Sequence, residues 1–392
     1  MKKIHWWRKP VLRRDEDEER EHKASWLELF FDLVFVATIS ELSHILVHEL
    51  TGTSVLKYLF LFVPVWWYWI GSTFYNERFA TNEVSHRIFT LFQIMAVAGL
   101  ALHIRYGLSH QSQGFAVSYI FARVILITMW VRGGIHNPST RPLTNRYAAG
   151  FSISVVLWAS SLFVPLPLKL IFWSGGLLFD LLTPLTTLSI QKKLPKLSTS
   201  HLPERFGLFT IIVLGESVVG VIIKAAGEHH FSLTTGAHVG LGIIMAFCLW
   251  WMYFDFIASK KPKIGLIVLR GYLHLPLVIG VTTIGASIIS LISFEGYDIP
   301  HTLRLLTCGA LSLSLFSLGG LEFTVTDEQL KPKTCVYIYL IRFVSGILIL
   351  GLGFLGHFIN FILLLVILIC FLVFQIIHDI YIRHNIQNKS ML

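Results

Sequence analysis

Apolar segments about 20 residues long recur from one end of the chain to the other, and they constrain its fold more than any other feature. Hydrophobic residue types make up 54% of the 392 residues and charged types only 14%. A soluble domain carries about 25% charged residues, and a chain this apolar would expose large hydrophobic patches to water. The composition therefore excludes a soluble globular protein and a disordered chain, and it predicts an all-α polytopic membrane protein.

Twelve segments reach the length of about 20 apolar residues that a helix needs to cross a bilayer core. We number them as spans one to twelve in chain order: 26–47, 55–75, 87–105, 114–132, 146–165, 168–190, 204–225, 236–258, 269–293, 302–322, 335–354 and 357–382. Spans five and six show the weakest apolar pattern, and a short turn containing Pro165 and Pro167 joins them.

The basic residues alternate between the two sides that these spans define. With the N-terminus in the cytoplasm, 25 of the 32 Lys and Arg residues fall on the cytoplasmic side, five on the other side and two within spans. Cytoplasmic loops of membrane proteins carry an excess of Lys and Arg. The distribution therefore predicts twelve spans with both termini in the cytoplasm.

The two halves of the chain resemble each other. Span two contains four consecutive aromatic residues from Trp66, and span eight contains a similar run from Trp250, 184 residues later. Two six-span halves in tandem share one orientation, as in transporters with parallel repeats. The predicted organisation is a cytoplasmic tail (1–25), a first six-helix repeat (26–190), a linker (191–202), a second repeat (203–382) and a cytoplasmic C-terminal tail (383–392). The alternative is chance similarity among aromatic-rich helices.

Ionisable residues within the spans are the candidates for function, because a charge in the bilayer costs about 2.5–3.5 kcal/mol on insertion scales. Two cations, Arg123 and Arg342, lie within spans. Five carboxylates are predicted at depth: Asp32, Glu41, Asp180, Glu216 and Asp255. The surplus of carboxylates must be protonated, hydrated or bound to an imported cation, which favours a proton-linked or cation-linked site. The alternative is that some of the five, Asp255 above all, lie nearer the membrane surface.

Span six combines a carboxylate with a helix breaker. Pro184 clashes with the carbonyl of Asp180, four residues earlier, and a freed carbonyl beside a carboxylate is a candidate cation site. Prolines also bend membrane helices that have no such role. The sequence leaves both interpretations open.

Glu216 in span seven, between Gly215 and Ser217, is the residue that we most expect to be functional. Gly215 allows either close helix approach or room for a bound partner. The structural alternative is a buried ion pair between Glu216 and Arg123 or Arg342, which would only fix the packing of the bundle.

Several classes of protein lack support in the sequence. It contains no P-loop, no GxGxxG opening a helix after a strand, no GxSxG and no HExxH motif. The four cysteines form no CxxC pair and give no metal or redox signature. We therefore expect no soluble-type catalytic domain and no cofactor. Nucleic-acid binding is not expected either, because the basic N-terminal residues alternate with the acidic run 15–19.

Six motifs carry a resemblance to a known family: WLELFFDLVFV (26–36), NERF (76–79), ERFGL (204–208), LGES (214–217), WWMYFD (250–255) and GYLHLP (271–276). Together they resemble the bacterial low-temperature-requirement A (LtrA) family over nearly the whole chain. The resemblance implies a multipass protein of the bacterial inner membrane with a link to growth in the cold. It implies these signature residues: Glu28, Asp32, Glu204, Arg205, Gly215, Glu216, Ser217, Asp255 and His274.

These observations predict a transporter or channel for a cation or a proton-coupled small solute, not an enzyme. Asp32, Asp180 and Glu216 would bind or carry charge, and Arg123 and Arg342 would set their protonation. The expected partners are the lipid bilayer and cations or protons. The alternatives are a membrane-embedded enzyme or lipid-related factor that supports growth in the cold, and a scaffold that transports nothing.

Overall fold

The structure is a computed structural model, and it is helical apart from four strands of two residues each. It describes these residues: 9–13, 25–48, 50–80, 84–109, 111–198, 200–228, 231–292, 294, 300–327 and 332–390.

Twelve helices of 18 residues or more lie within these ranges, together with one helix of four residues, α7. The helices are α1 Trp26–His48, α2 Gly52–Arg78, α3 Val84–His103, α4 Gln113–His136, α5 Arg141–Ser160, α6 Leu168–Leu185, α7 Leu188–Gln191, α8 His201–Ala226, α9 Leu233–Tyr253, α10 Ile267–Ile292, α11 His301–Phe323, α12 Pro332–Leu355 and α13 Phe361–Ser390. Eleven of the long helices are apolar enough to cross a membrane. The prediction of a polytopic helical membrane protein is confirmed.

The remaining long helix, α5, corrects the predicted bounds of span five. The sequence predicted 146–165, whereas the helix runs from Arg141 to Ser160 and is followed by a 3-10 turn, Ser161–Phe163. A proline in the first turn favours the earlier start, because its missing N–H would be unpaired there anyway. Two arginines in the first two turns make α5 less apolar than the other eleven helices. At about 1.5 Å per residue, its 20 residues still reach about 30 Å.

The described residues divide into two compact units. The first comprises those up to Leu42 and from Leu59 to Arg205, and the second those from Ser43 to Tyr58 and from Phe206 onward. In the first unit, α4 packs against α3 and α5, and α5 packs against α6. In the second unit, α11 packs against α10 and α12, and α9 packs against α10 and α13.

Small residues let neighbouring helices of the first unit approach closely. A Cβ atom added at Gly134 of α4 would lie 2.0 Å from the Thr144 hydroxyl of α5. A Cβ atom at Gly150 of α5 would lie equally close to the Thr183 hydroxyl of α6. Glycine at a helix interface permits such backbone contact, which is typical of helix packing in membranes.

Buried aromatic rings fill the first unit near one end of α5 and α6. The indoles of Trp158 and Trp173 stack with centroids 4.5 Å apart, and the ring of Tyr119 lies 4.3 Å from Trp158. Trp173 Nε1 donates a hydrogen bond of 2.8 Å to the hydroxyl of Ser161. The 3-10 turn after α5 is therefore held against α6 by a polar contact within an aromatic cluster.

Two short antiparallel ribbons close helix ends. In the first unit, β1 (Val11–Leu12) pairs with β2 (Phe79–Ala80), directly after α2. In the second, β3 (Lys261–Pro262) pairs with β4 (Val325–Thr326), which lies directly after α11.

Candidate functional site

Asp32 of α1 is a fully buried carboxylate whose two oxygens differ in their contacts. Its Oδ1 accepts hydrogen bonds from Arg205 Nη2 of α8 at 2.7 Å and from Trp69 Nε1 of α2 at 2.8 Å. Its Oδ2 is buried and has no hydrogen-bond partner among the described residues. Such an oxygen is uncommon in folded proteins and calls for an explanation.

A row of charged groups continues from Asp32 to the ends of the helices in the same unit. Arg205 Nη1 lies 3.0 Å from Glu28 Oε1, and Glu28 Oε2 lies 3.6 Å from His201 Nε2. The other ring nitrogen of His201, Nδ1, lies 2.7 Å from Oε2 of Glu77 at the end of α2. We call Asp32, Arg205, Glu28, His201 and Glu77 the α1–α8 charge row.

Helix periodicity explains this row. Glu28 and Asp32 are four residues apart on α1, and His201 and Arg205 are four residues apart on α8. Residues at this spacing lie one above the other on a single helix face. The two pairs therefore face each other as alternating acidic and basic groups.

Asp180 lies in a second buried group in the first unit, together with the predicted cation Arg123. Arg123 Nη2 donates to Asp180 Oδ1, while the Tyr119 and Ser154 hydroxyls donate to Oδ2 at 2.6 and 2.9 Å. Trp67 Nε1 donates to the main-chain carbonyl of Asp180 at 2.9 Å. Of the two interpretations that the sequence left open, a helix bend without a cation agrees better with this arrangement, because neighbouring donors occupy both the carbonyl and the carboxylate of Asp180.

Glu216 lies near the middle of α8 in the second unit. It is partly buried, and the described residues of that unit offer it no ion pair and no hydrogen bond. The two cations that the structural alternative requires have other partners. Arg123 binds Asp180, whereas Arg342 of α12 binds carboxylates on α11 and α13.

The partners of Arg342 are residues that the sequence did not single out at depth. Its Nε donates to Glu322 Oε2 at 2.7 Å and its Nη2 to Asp379 Oδ2 at 2.8 Å. Arg383 Nη2 lies 3.3 Å from the other oxygen of Glu322. This group connects the end of α11 with the middle of α12 and with α13 through charge pairs.

The predicted surplus of carboxylates is therefore smaller than the sequence suggested. Asp32 is paired with Arg205, and Glu41 is paired with Arg105; the sequence analysis counted both arginines with the loop cations, at the very ends of their spans. Asp255 lies just after α9, and its side chain is exposed. The described residues of the second unit supply no counter-charge to Glu216.

The remaining motif residues have individual environments in their own units. Glu204 is exposed. Among the described residues no atom lies within 4 Å of a Cβ built on Gly215, so this glycine borders open space instead of a close helix contact. The Ser217 hydroxyl donates to a carbonyl of its own helix at 3.0 Å.

His274 is fully buried, with Nε2 2.9 Å from the Tyr253 hydroxyl and Nδ1 2.7 Å from the Arg270 carbonyl.

No group of three or more His, Cys, Asp or Glu side chains that could hold a metal ion occurs within the described ranges. The acidic and basic groups instead form pairs and short rows.

Comparison with known proteins gives two findings. A family model described as bacterial low temperature requirement A protein (LtrA) matches residues 23–374. The uncharacterized protein RA0937 of Rhizobium meliloti (strain 1021) is 29% identical over 362 residues, covering 81% of this chain and 77% of that protein.

Proposed function

We propose that this chain, which belongs to the bacterial low temperature requirement A family, is a transporter or channel for a cation or a proton-coupled small solute. The observation that carries the proposal is the environment of Glu216. This carboxylate lies about 4 Å along the axis from the midpoint of a 26-residue apolar helix, at 1.5 Å per residue.

An acidic side chain at this depth needs a partner. An isolated carboxylate is costly to bury, so it is hydrated, protonated or bound to a cation. An ion pair that only holds helices together would explain Glu216 without transport. Arg123 and Arg342, the two cations predicted within spans, bind other carboxylates. These contacts leave Glu216 without either arginine, which supports the exchange of a proton or a cation at this carboxylate.

Asp32 supplies a second exchange group. Arg205 and Trp69 both bind Oδ1, so Oδ2 can take up a proton or contact a cation while these two contacts stay in place. Glu28 and His201 continue from Arg205 toward the helix ends. We propose that the α1–α8 charge row connects Asp32 with the aqueous phase.

The experiment measures ion and proton flux in proteoliposomes under Na⁺, K⁺ and pH gradients. We expect flux in the wild type, loss of flux in Glu216→Gln, and reduced flux in Asp32→Asn. Glu204→Gln is the matched control, because it makes the same change on the same helix at an exposed position. It is expected to leave flux unchanged.

Two results would contradict the proposal. The first is absence of flux under every gradient from wild-type protein shown to be monodisperse and inserted. The second is equal flux in the wild type and Glu216→Gln. The membrane-embedded enzyme, the lipid-related factor and the scaffold would then be the leading hypotheses, and a changed lipid composition in a deletion strain would favour the lipid-related factor.

We also infer that the protein lies in the bacterial cell membrane as two tandem six-helix repeats, with both termini in the cytoplasm. The charge asymmetry of the loops supports this orientation. Single cysteines at Lys193 and Lys57 of a cysteine-free variant test it. An impermeant thiol reagent applied to intact cells should label position 57 and not position 193, and the reverse pattern would exclude this topology.

A further inference from the structure

Arg270, in the first turn of α10, is a buried guanidinium without an acidic partner. Its exposed fraction is 1%. Its Nη1 donates to the Thr324 hydroxyl at 3.2 Å, while Nε and Nη2 are buried without hydrogen-bond partners. Among the described residues of its unit, no carboxylate lies within ion-pair distance of it. Its positive charge is therefore uncompensated by the second unit.

The other arginines that are equally buried are all compensated. Arg123, Arg205 and Arg342 each contact at least one carboxylate. An arginine side chain does not deprotonate in proteins, so Arg270 cannot become neutral. Removing an unpaired ion from water costs several kcal/mol even after relaxation. The fold retains this charge without an internal acid, which points to an external anion.

The free donors at this site belong to the guanidinium itself. The Thr324 hydroxyl accepts from Arg270 Nη1 and donates to the Leu321 carbonyl at 2.6 Å, and the Tyr253 hydroxyl lies 2.9 Å from His274 Nε2. Arg270 Nε and Nη2 therefore remain to bind an anion. Arg270 lies in the first turn of a 26-residue helix, where the helix dipole favours negative charge.

The preceding loop adds positive charge. Lys261 is exposed, and Lys263 Nζ lies 2.8 Å from a carbonyl at the end of α11. Lys260 is partly balanced by Asp327, at 3.4 Å. Basic residues between and beside membrane helices bind the phosphate groups of anionic lipids.

We propose that Arg270, at the start of α10, binds a phosphate group through its two unpartnered nitrogens. A planar guanidinium with two unused donor nitrogens matches the oxygens of a phosphate in a bidentate contact. The group belongs either to an anionic phospholipid headgroup or to a free phosphate ion. This anion site is separate from the proposed exchange of protons or cations at Glu216.

The test is the unfolding temperature of the full chain, purified and delipidated in a neutral detergent. It is measured alone, with inorganic phosphate, with phosphatidylglycerol and with phosphatidylcholine. We expect phosphatidylglycerol or phosphate to raise the unfolding temperature of the wild type by about 5 °C at saturation, and phosphatidylcholine to have no such effect. A shift with phosphatidylglycerol alone assigns the site to a lipid headgroup, and a shift with both assigns it to the phosphate group itself.

The variant Arg270→Met tests whether the rise in unfolding temperature depends on the Arg270 side chain. It removes the charge and keeps a long apolar stem, so in the absence of anion it should be at least as stable as the wild type. It should also lose the shift. Lys193→Gln is the matched control, because it removes one exposed positive charge from a loop that is not part of the site, and it should keep the shift. An equal shift in the wild type and Arg270→Met, or no shift in the wild type, would overturn the proposal.

A charge-preserving variant covers the case in which Arg270→Met does not fold. Arg270→Lys keeps the positive charge but loses the planar pair of donors. It should require about tenfold more phosphate or phosphatidylglycerol for half of the wild-type shift. An unchanged half-saturation in Arg270→Lys would show that the anion does not bind this side chain and would refute the site.

Discussion

Replacing Asp180 by Asn should destabilise the protein strongly, because it isolates the positive charge of Arg123. Both side chains are fully buried, and Arg123 Nε and Nη1 have no hydrogen-bond partner among the described residues. Breaking a buried ion pair from one side costs about 3–5 kcal/mol, since the remaining charge stays in the interior. The structure places the expected cost at the lower end of this range.

Aromatic rings are the reason for the lower value. The guanidinium of Arg123 lies 4.1 Å from the ring centroid of Phe151 and 5.8 Å from that of Tyr119. A desolvated cation–π contact contributes about 2 kcal/mol, and Asp180→Asn leaves these contacts in place. The Tyr119 and Ser154 hydroxyls can still donate to the amide oxygen of Asn. We therefore expect Asp180→Asn to lower the free energy of unfolding by about 3 kcal/mol.

A double-mutant cycle measures the pair itself. Arg123→Met alone leaves the Asp180 carboxylate without its cation and should also cost about 3 kcal/mol. The double variant has no buried charge in this group and should cost about 1 kcal/mol or less, because replacing both partners of a buried pair by neutral groups is often tolerated. The coupling free energy between Asp180 and Arg123 is therefore expected to be about 5 kcal/mol, and it stabilises the folded protein.

The assay is reversible unfolding of the purified protein in mixed micelles at increasing mole fractions of a denaturing detergent. Each variant is compared with the wild type by the fluorescence of its tryptophans. If the double variant loses about the sum of the two single losses, the two residues act independently. That result, or a loss below about 1 kcal/mol for Asp180→Asn, would refute the reasoning from a buried ion pair.

Two further predictions concern stability. Glu216→Gln should change the free energy of unfolding by less than about 0.5 kcal/mol in the same assay, because the described residues of its unit make no contact that the change would remove. A loss of stability above about 2 kcal/mol would instead show that Glu216 has a structural partner. Gly150→Ala should cost about 1–3 kcal/mol, because its Cβ would lie 2.0 Å from the Thr183 hydroxyl. Gly240→Ala is its control, because the described residues leave open space there, and it should raise the unfolding temperature slightly, since Ala is more favourable than Gly in a helix interior by about 0.5–1 kcal/mol. Equal effects of the two alanines would contradict the close approach of α5 and α6.

Apolar length predicted most of the fold, because the bilayer requires every spanning helix to satisfy its own backbone hydrogen bonds. Eleven long apolar helices agree with predicted spans. The bounds of α5 were wrong because its first turns carry Arg141 and Arg146, which an apolar window leaves out. The tandem repeat and the orientation of the termini stay predictions.

The candidate site was predictable only as a set of positions along helices. Asp32 and Asp180 were identified as buried acids from their depth, and Arg123 was correctly expected to neutralise one of the predicted acids. The partner of Asp32 was missed, because Arg205 lies at a helix end and was counted with the loop cations. Which groups meet depends on how each helix is rotated and packed, and hydropathy alone carries no such information.

The spacing of residues on single helices could have revealed more of the charge row. Glu28 with Asp32 and His201 with Arg205 are two pairs at a separation of four, one acidic and one basic. Opposite pairs of this kind on two helices indicate facing surfaces. Glu77 and Asp379 gave no such signal, because each stands near the end of its span, where charge is inexpensive.

The stacked indoles of Trp158 and Trp173 give the first unit an optical signature. Two parallel aromatic chromophores this close share their electronic excitation, so they should produce a paired positive and negative band in the far-ultraviolet circular dichroism spectrum, superimposed on the helical signal. The contribution of this pair depends on a distance of a few ångströms and is lost when α5 separates from α6, whereas the indoles of Trp66 and Trp69, both on α2, keep their own contribution. Spectroscopy on unlabelled protein can therefore follow the assembly of this one unit within a bilayer.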